Sequence, residues 1–132
     1  RKYHHTMSSS LVYALGEAVA MVEEEGLEAR WARHEQNHRA FVAGVTALGL
    51  SMLVPEPARL WTLNTVRVPA GVDEAAVRRH LLQRFNMEIG AGLGPLAGQI
   101  FRIGLMGNGS TPAHVALCLA AIADALGRRP RP

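Results

Sequence analysis

The 132-residue sequence contains a single cysteine, and its apolar runs are all short. One cysteine cannot form a disulfide within the chain, so we expect a reducing, intracellular environment. No run approaches the roughly 20 apolar residues that a membrane-spanning helix needs, and we see no secretory signal peptide. Disorder and low complexity are excluded, because 48% of the residues are hydrophobic. These features predict a folded cytoplasmic protein with a hydrophobic core and no membrane contact.

Excess positive charge is confined to the two ends of the chain. The formal net charge is +3, from 14 basic and 11 acidic residues. Five of the basic residues lie at the ends, namely Arg1, Lys2, Arg128, Arg129 and Arg131. The body of the chain is therefore slightly acidic. A folded nucleic-acid-binding domain usually carries its basic excess on a structured face, so we expect no nucleic-acid partner.

Four segments have apolar residues at spacings of three and four, which is the pattern of one buried helix face. They are residues 11–22, 27–48, 73–85 and 115–126. Gly26 separates the first two segments, either as a stop or as a bend. Asp73 is the predicted N-cap of the third helix, and Ser110 or Thr111 that of the fourth.

Other segments show the two-residue alternation of strands. The predicted strands are residues 50–54, 61–68 and 101–106, with a short extended segment at Glu88–Ile89. Together with the helices they predict an α+β fold, in which a small antiparallel sheet has helices packed on one face. No repeat or change of composition divides the chain, so we expect residues 1–132 to form a single domain.

Arg102 is the strongest candidate for a ligand-binding residue. Its apolar neighbours Phe101 and Ile103 point toward the predicted core, so Arg102 points to the opposite face of the strand. Gly104 lies on that same face and leaves room for a ligand to approach. A guanidinium beside such a gap suits bidentate binding of a carboxylate. The alternative is an arginine that is simply solvated on an open sheet face.

A glycine-rich segment at residues 90–98 precedes this strand. Its form is G-x-G-x-G-P, in which the glycines are Gly90, Gly92 and Gly94. It differs from the G-x-G-x-x-G that opens a helix, and it lacks the lysine and the Ser/Thr of a phosphate-binding P-loop. We therefore interpret it as a mobile or closely packed loop.

Histidine and cysteine side chains are common metal ligands and nucleophiles, but few of them occupy suggestive positions here. His34 and His38 fit the H-E-x-x-H pattern of zinc proteases, which leaves a zinc hydrolase as a weak alternative function. Both lie on an apolar helix face with Phe41, and no third ligand follows at a suitable spacing. We interpret them as packed or partly buried histidines and expect no metal site. Cys118 lies between leucines in the last helix and is predicted to be a small buried thiol.

The first residues, Tyr-His-His-Thr at positions 3–6, fit two interpretations. They could be the remnant of an expression tag, or a polar segment that offers hydroxyl groups to an anion. The residue types alone leave both open.

Three motifs in order resemble the C-terminal part of alanine–glyoxylate and serine–pyruvate aminotransferases, which are fold-type I pyridoxal-phosphate enzymes of aminotransferase class V. They are Tyr-His-His-Thr at residues 3–6, Gly-Leu-Gly-Pro at 92–95 and Phe-Arg-Ile-Gly-Leu-Met-Gly at 101–107. The resemblance covers nearly the whole chain and favours a natural segment over a tag. It implies the C-terminal small domain of a longer enzyme, in which residues 1–10 lead from a large domain.

The resemblance also implies roles for individual residues. Tyr3 and Thr6 match a tyrosine and a threonine that reach across the homodimer to the cofactor phosphate of the partner subunit. Arg102 matches the arginine that holds the substrate carboxylate, in agreement with its place on the strand. The stretch from Gly90 to Gly94 would shape a substrate pocket for small side chains.

The function implied by the resemblance is transfer of an amino group from a small amino acid, such as alanine or serine, to glyoxylate or a similar 2-oxoacid. The cofactor would be pyridoxal 5'-phosphate. A ureidoglycine–glyoxylate aminotransferase of the same family and a free-standing module that binds small carboxylates or regulates a partner are the alternatives. The resemblance implies a Schiff-base lysine that lies upstream of the Tyr-x-x-Thr motif, whereas Lys2, the only lysine here, directly precedes Tyr3 and is in the wrong place for that role. We therefore expect this chain alone to be inactive.

Overall fold

The computed structural model describes residues 5–128. Within them the helices are α1 (Ser9–Glu25), α2 (Leu27–Ala47), α3 (Glu74–Phe85) and α4 (Pro112–Ala125). The strands are β1 (Leu63–Arg67), β2 (Gly90–Ala91) and β3 (Ile100–Gly104), and α3 lies between β1 and β2 in the chain. Among the described residues, no helix combines the length and the apolar character that crossing a membrane requires. The mixture of helices with a small antiparallel sheet confirms the predicted α+β fold.

The chain divides into two compact units, with the boundary between Ala32 and Arg33 inside α2. The first unit holds α1 and the start of α2. Gly26 adopts a φ of +78°, which favours glycine, and its N–H donates to the carbonyl of Val22 at 3.0 Å. The chain therefore forms two separate helices around Gly26 rather than one kinked helix.

The apolar face predicted for α1 is present but exposed. No residue of α1 is buried, and the side chains of Leu11 and Leu15 are both largely open to solvent. Within this unit, Arg30 forms an ion pair with Glu25 at 2.6 Å, across the break between the two helices.

In the second unit, β3 is the central strand of an antiparallel sheet with the order β1-β3-β2. Arg102 of β3 pairs with Thr65 of β1 and with Gly90 of β2. Residues that are directly paired point to the same face, so these three positions share one side of the sheet. The opposite side is the buried one, as the alternation of the sequence predicts.

The hydrophobic core covers that buried side. On this side the sheet contributes Asn64, Val66, Phe101 and Ile103, whereas Ile100 of β3 is buried on the opposite side. Helices α2, α3 and α4 contribute apolar side chains that include Phe41, Val45, Leu81, Ala121 and Ile122. Helix α2 approaches α4 closely at Gly44, where a Cβ would lie 2.2 Å from a methyl carbon of Leu119. These helices therefore pack on one face of the sheet and leave the other face open.

The strand predicted at residues 50–54 is wrong in extent. Only Met52 forms a bridge to β1. The N–H of Leu53 donates to the carbonyl of Thr65 at 2.8 Å. The next bond of this ladder would come from residue 55, which is a proline and has no N–H. The pairing therefore stops after one bridge.

The extended segment predicted at Glu88–Ile89 is also displaced, because the strand forms at Gly90–Ala91. The sequence pattern instead predicts a glycine-rich loop that begins at Gly90. The pairing of both β2 residues with Arg102 and Phe101 on β3 fixes the strand there. That register comes from a tertiary contact, which a glycine-rich sequence does not reveal.

The N-caps of α3 and α4 are residues that the sequence predicts for these positions. The Asp73 carboxylate accepts the N–H of Ala76 at 3.1 Å and caps α3. Thr111, rather than Ser110, is the N-cap of α4, because its hydroxyl oxygen accepts the N–H of His114 at 3.1 Å. Ser110 is fully buried instead and takes part in the site described next.

Candidate functional site

Arg102 lies at the middle of the open sheet face. It is half-buried on β3, the strand that is hydrogen-bonded on both sides. Its Nε–H donates to the carbonyl of Ala91 at 2.6 Å. No residue between 5 and 128 accepts a hydrogen bond from its two terminal nitrogens. The paired N–H groups at the end of the guanidinium are therefore available to a carboxylate.

Gly90 faces Arg102 from the neighbouring strand. A Cβ at this position would lie 3.4 Å from the Cβ, Nε and Nη2 atoms of Arg102. Any longer side chain would therefore lie against the guanidinium. Glycine at this position allows the Arg102 side chain to lie across β2 and reach the carbonyl of Ala91.

The other two glycines predicted to shape the pocket have different surroundings. Gly92 is buried, and a Cβ there would lie 1.9 Å from the carbonyl oxygen of Leu96. Gly94 adopts a φ of +53° and opens the short turn Gly94–Leu96. Gly92 therefore allows the loop to close tightly and Gly94 allows it to turn, whereas Gly90 faces the arginine.

A second feature borders the open face beyond the end of β3. Met106 is exposed, and three of its side-chain atoms lie 3.7–3.9 Å from the point where a Cβ on Gly104 would be. The thioether thus lies over the surface of Gly104. Gly104 and Met106 lie on the same face of the chain as Arg102, because every second residue of a strand points to the same side.

A buried polar network holds the turn that follows β3. Arg33 Nη1 donates to the carbonyls of Gly107 and Ser110 at 3.0 and 2.6 Å. Asn37 Nδ2 donates to the carbonyl and the hydroxyl oxygen of Ser110 at 2.8 and 3.1 Å. Sequence reasoning missed this network. The signal was available, because Asn37 interrupts an otherwise apolar helix face and therefore needs a buried partner.

The two residues predicted to contact a cofactor phosphate belong to the start of the chain. Tyr3 lies outside the described residues. Thr6 precedes α1 in the first unit and is exposed. Its hydroxyl is therefore accessible to a group outside this chain, and its role stays a prediction.

His34 and His38 are buried on α2, which confirms the interpretation of packed histidines. The Nδ1–H of His38 donates to Asn64 Oδ1 at 2.7 Å. The Nδ2 of Asn64 is buried and has no hydrogen-bond partner among the described residues. Within residues 5–128, His, Cys, Asp and Glu side chains form no cluster of three or more that could hold a metal ion.

Cys118 is buried on α4, as predicted. Burial disfavours the charged thiolate and raises the pKa of this thiol from 9.0 to about 11. It borders a cleft of about 220 Å³ that Ile103 and His114 also line. A thiol with such a pKa is almost entirely protonated at neutral pH and is a poor nucleophile.

No family model matches this sequence, but individual proteins do. The (S)-ureidoglycine–glyoxylate transaminase of Bacillus subtilis is 40% identical over 128 residues, which cover 97% of this chain and 31% of the relative. The alanine–glyoxylate aminotransferase of Callithrix jacchus is 41% identical over 132 residues, which cover 99% of this chain and 32% of the relative. The chain thus spans about a third of the length of the curated relatives that it matches.

Solved structures agree with these matches. The alanine–glyoxylate aminotransferase of Nostoc sp. superposes with a TM-score of 0.90 at 44% identity, covering 96% of this chain and 33% of that one. The pyridoxamine–pyruvate aminotransferase of Mesorhizobium loti gives a TM-score of 0.90 at 35% identity, covering 98% and 34%. The chain is therefore homologous to the C-terminal part, about 30%, of alanine–glyoxylate aminotransferases, which are class V pyridoxal-phosphate enzymes.

Proposed function

We propose that this chain is the C-terminal domain of a pyridoxal-phosphate-dependent aminotransferase that transfers an amino group from a small amino acid, such as alanine or serine, to glyoxylate or a similar 2-oxoacid. The observation that carries the proposal is Arg102. Its guanidinium lies on the sheet face opposite the core, and its terminal N–H groups have no acceptor among residues 5–128. The homology to alanine–glyoxylate aminotransferases supports the same assignment.

Arg102 binds the carboxylate of both substrates in this proposal. The amino donor and the 2-oxoacid acceptor differ at the α-carbon but carry the same carboxylate, so one anchor serves both halves of the reaction. Two parallel N–H···O bonds fix the orientation of the carboxylate as well as its position. Fixing the carboxylate also fixes where the α-carbon lies relative to the cofactor.

Gly90 makes room for this anchor. Because position 90 has no side chain, the Arg102 side chain can lie across β2, where its Nε–H donates to the carbonyl of Ala91. Gly92 and Gly94 act on the loop itself, one by close packing and one by its positive φ. We therefore propose that Gly90 shapes the pocket by placing the arginine, and that the other two glycines shape it through the loop.

The described residues fit part of a pyridoxal-phosphate site. When bound, this cofactor supplies an electron sink for the bonds at the substrate α-carbon. Thr6 offers an exposed hydroxyl that can bond to a phosphate, and we propose that Thr6 and Tyr3 bind the cofactor phosphate of the partner subunit in a cytoplasmic homodimer. The amine that holds the cofactor covalently is not among residues 5–128. We therefore propose that the rest of a longer chain supplies it, and that this chain alone is inactive.

Arg102→Ala in the full-length enzyme tests the proposal. We expect the KM values for the amino donor and for glyoxylate both to rise by at least about 100-fold, because two charged hydrogen bonds together contribute about 3 kcal/mol or more. Arg79→Ala is the matched control, since Arg79 is an exposed arginine on α3 and should leave both values unchanged. Unchanged KM values in Arg102→Ala would remove Arg102 from this role.

A second candidate function is a ureidoglycine–glyoxylate aminotransferase, which the similarity to the Bacillus subtilis transaminase favours. Both functions share the glyoxylate acceptor and the carboxylate anchor. Steady-state rates with alanine, serine and ureidoglycine as competing donors distinguish them. A preference of at least about tenfold for ureidoglycine would favour the second function.

A further inference from the structure

Met106 lies on the same face of the chain as the carboxylate anchor. Its backbone is extended, with φ −115° and ψ 143°, so the alternation of β3 continues past the end of the strand. Arg102, Gly104 and Met106 therefore project to one side. At about 3.3 Å per residue, the Cα atoms of Arg102 and Met106 are separated by about 13 Å, with a glycine between them.

The Met106 side chain partly fills the space that Gly104 leaves empty. Its Cε, Cγ and Sδ atoms lie 3.7, 3.8 and 3.9 Å from the point where a Cβ on Gly104 would be. The side chain is nevertheless 53% exposed, so its outer surface is accessible to a ligand. A small molecule anchored at Arg102 and lying over Gly104 would contact this thioether.

Hydrogen bonds hold the backbone around Met106 on both sides. On one side, the N–H of Leu105 donates to the carbonyl of Thr62 at 2.8 Å. On the other side, the carbonyl of Met106 accepts the N–H of Gly109 at 3.0 Å. The network from Arg33 and Asn37 then fixes the turn to α2. The fold thereby fixes the backbone position of Met106 relative to that of Arg102.

We propose that Met106 is a specificity-determining residue that limits the size of the amino donor's side chain. This inference rests on the proposed aminotransferase function and deepens it. The carboxylate of the donor binds Arg102, and its side chain extends over Gly104 until it meets the thioether. Glyoxylate has no side chain, so its binding does not depend on Met106.

The test measures kcat/KM for alanine, 2-aminobutyrate and norvaline with glyoxylate in the full-length enzyme. These donors share the same carboxylate and amine and differ only in the number of methylene groups. For Met106→Ala we expect the ratio of kcat/KM for norvaline to that for alanine to rise by at least about tenfold. For Met106→Phe we expect the ratio to fall. The KM for glyoxylate should change less than about twofold in both variants.

Leu82→Ala is the matched control, because Leu82 is an apolar side chain on α3 with a similar exposure of 49%. It should leave the donor ratio unchanged. An active enzyme whose donor ratio is the same in Met106→Ala and in the wild type overturns the role of Met106 alone. A wild-type enzyme without transaminase activity on any small donor overturns the proposed function and this inference with it.

Discussion

Replacing His38 with leucine should destabilise the protein much more than replacing Asn64 with valine, although the two side chains share one hydrogen bond. His38 Nδ1 donates to Asn64 Oδ1 at 2.7 Å, and both residues are buried. Asn64 also carries a buried Nδ2 that has no partner within residues 5–128. The two substitutions therefore leave different numbers of polar groups without a partner.

The magnitudes follow from counting those groups. A buried polar group without a partner costs about 1–3 kcal/mol. His38→Leu adds Asn64 Oδ1 to the Nδ2 that is already unpaired, so we expect a loss of about 1–3 kcal/mol. Asn64→Val leaves the ring N–H of His38 unpaired but removes the unpaired Nδ2, and it places a β-branched residue in strand β1. These effects offset each other, and we expect a net loss of about 0–1 kcal/mol.

The double variant sharpens the test. His38→Leu with Asn64→Val removes every polar atom of the pair, so it should be more stable than His38→Leu alone by about 1–3 kcal/mol. Urea unfolding followed by far-UV circular dichroism measures the three free energies of unfolding. The reasoning is refuted if Asn64→Val costs as much as His38→Leu, or if the double variant is no more stable than His38→Leu.

Two further predictions concern stability. Gly92→Ala should lower the free energy of unfolding by about 1–3 kcal/mol, because its Cβ would meet the carbonyl oxygen of Leu96 at 1.9 Å. Gly90→Ala is the control in the same urea titration, since a Cβ at position 90 would make ordinary contacts. Burial raises the pKa of Cys118 to about 11, so the unfolded chain loses the thiol proton first. The thiol therefore makes its full contribution to the free energy of unfolding below pH 9. This contribution falls by about 2–3 kcal/mol as the pH rises to 11. Cys118→Ala should remove that part of the pH dependence, and an unchanged profile would contradict this account.

Much of the fold could be predicted because local patterns and tertiary contacts agree in this chain. Caps such as Asp73 and the left-handed Gly26 act within a few residues, so the sequence shows them directly. The sides of β1 and β3 follow from alternation alone, which is why the face of Arg102 was predicted correctly. The edge strand β2 was harder to predict from the sequence, because its pairing with β3 joins Gly90 to Arg102, which is not a sequence neighbour.

The candidate site was only partly predictable for the same reason. Arg102 carries a visible signal, since it is a charged residue in an apolar alternation. The Ala91 carbonyl that holds its Nε carries none, because every residue has a carbonyl group. Asn37 carries a signal as a polar residue on an apolar helix face, but nothing in the sequence identifies its partner Ser110, which is 73 residues away. The roles of Tyr3 and Thr6 came from resemblance alone and stay predictions.

The hydrogen bond from Arg102 to Ala91 also has an entropic consequence. A free arginine side chain has about 2 kcal/mol of rotamer entropy, which a ligand would have to remove on binding. Because Nε is already held at 2.6 Å, much of that ordering takes place when the protein folds. A lysine at this position has no equivalent donor along its stem and would be ordered only by the ligand. The carbonyl of Ala91 therefore transfers part of the entropic cost of carboxylate recognition from binding to folding.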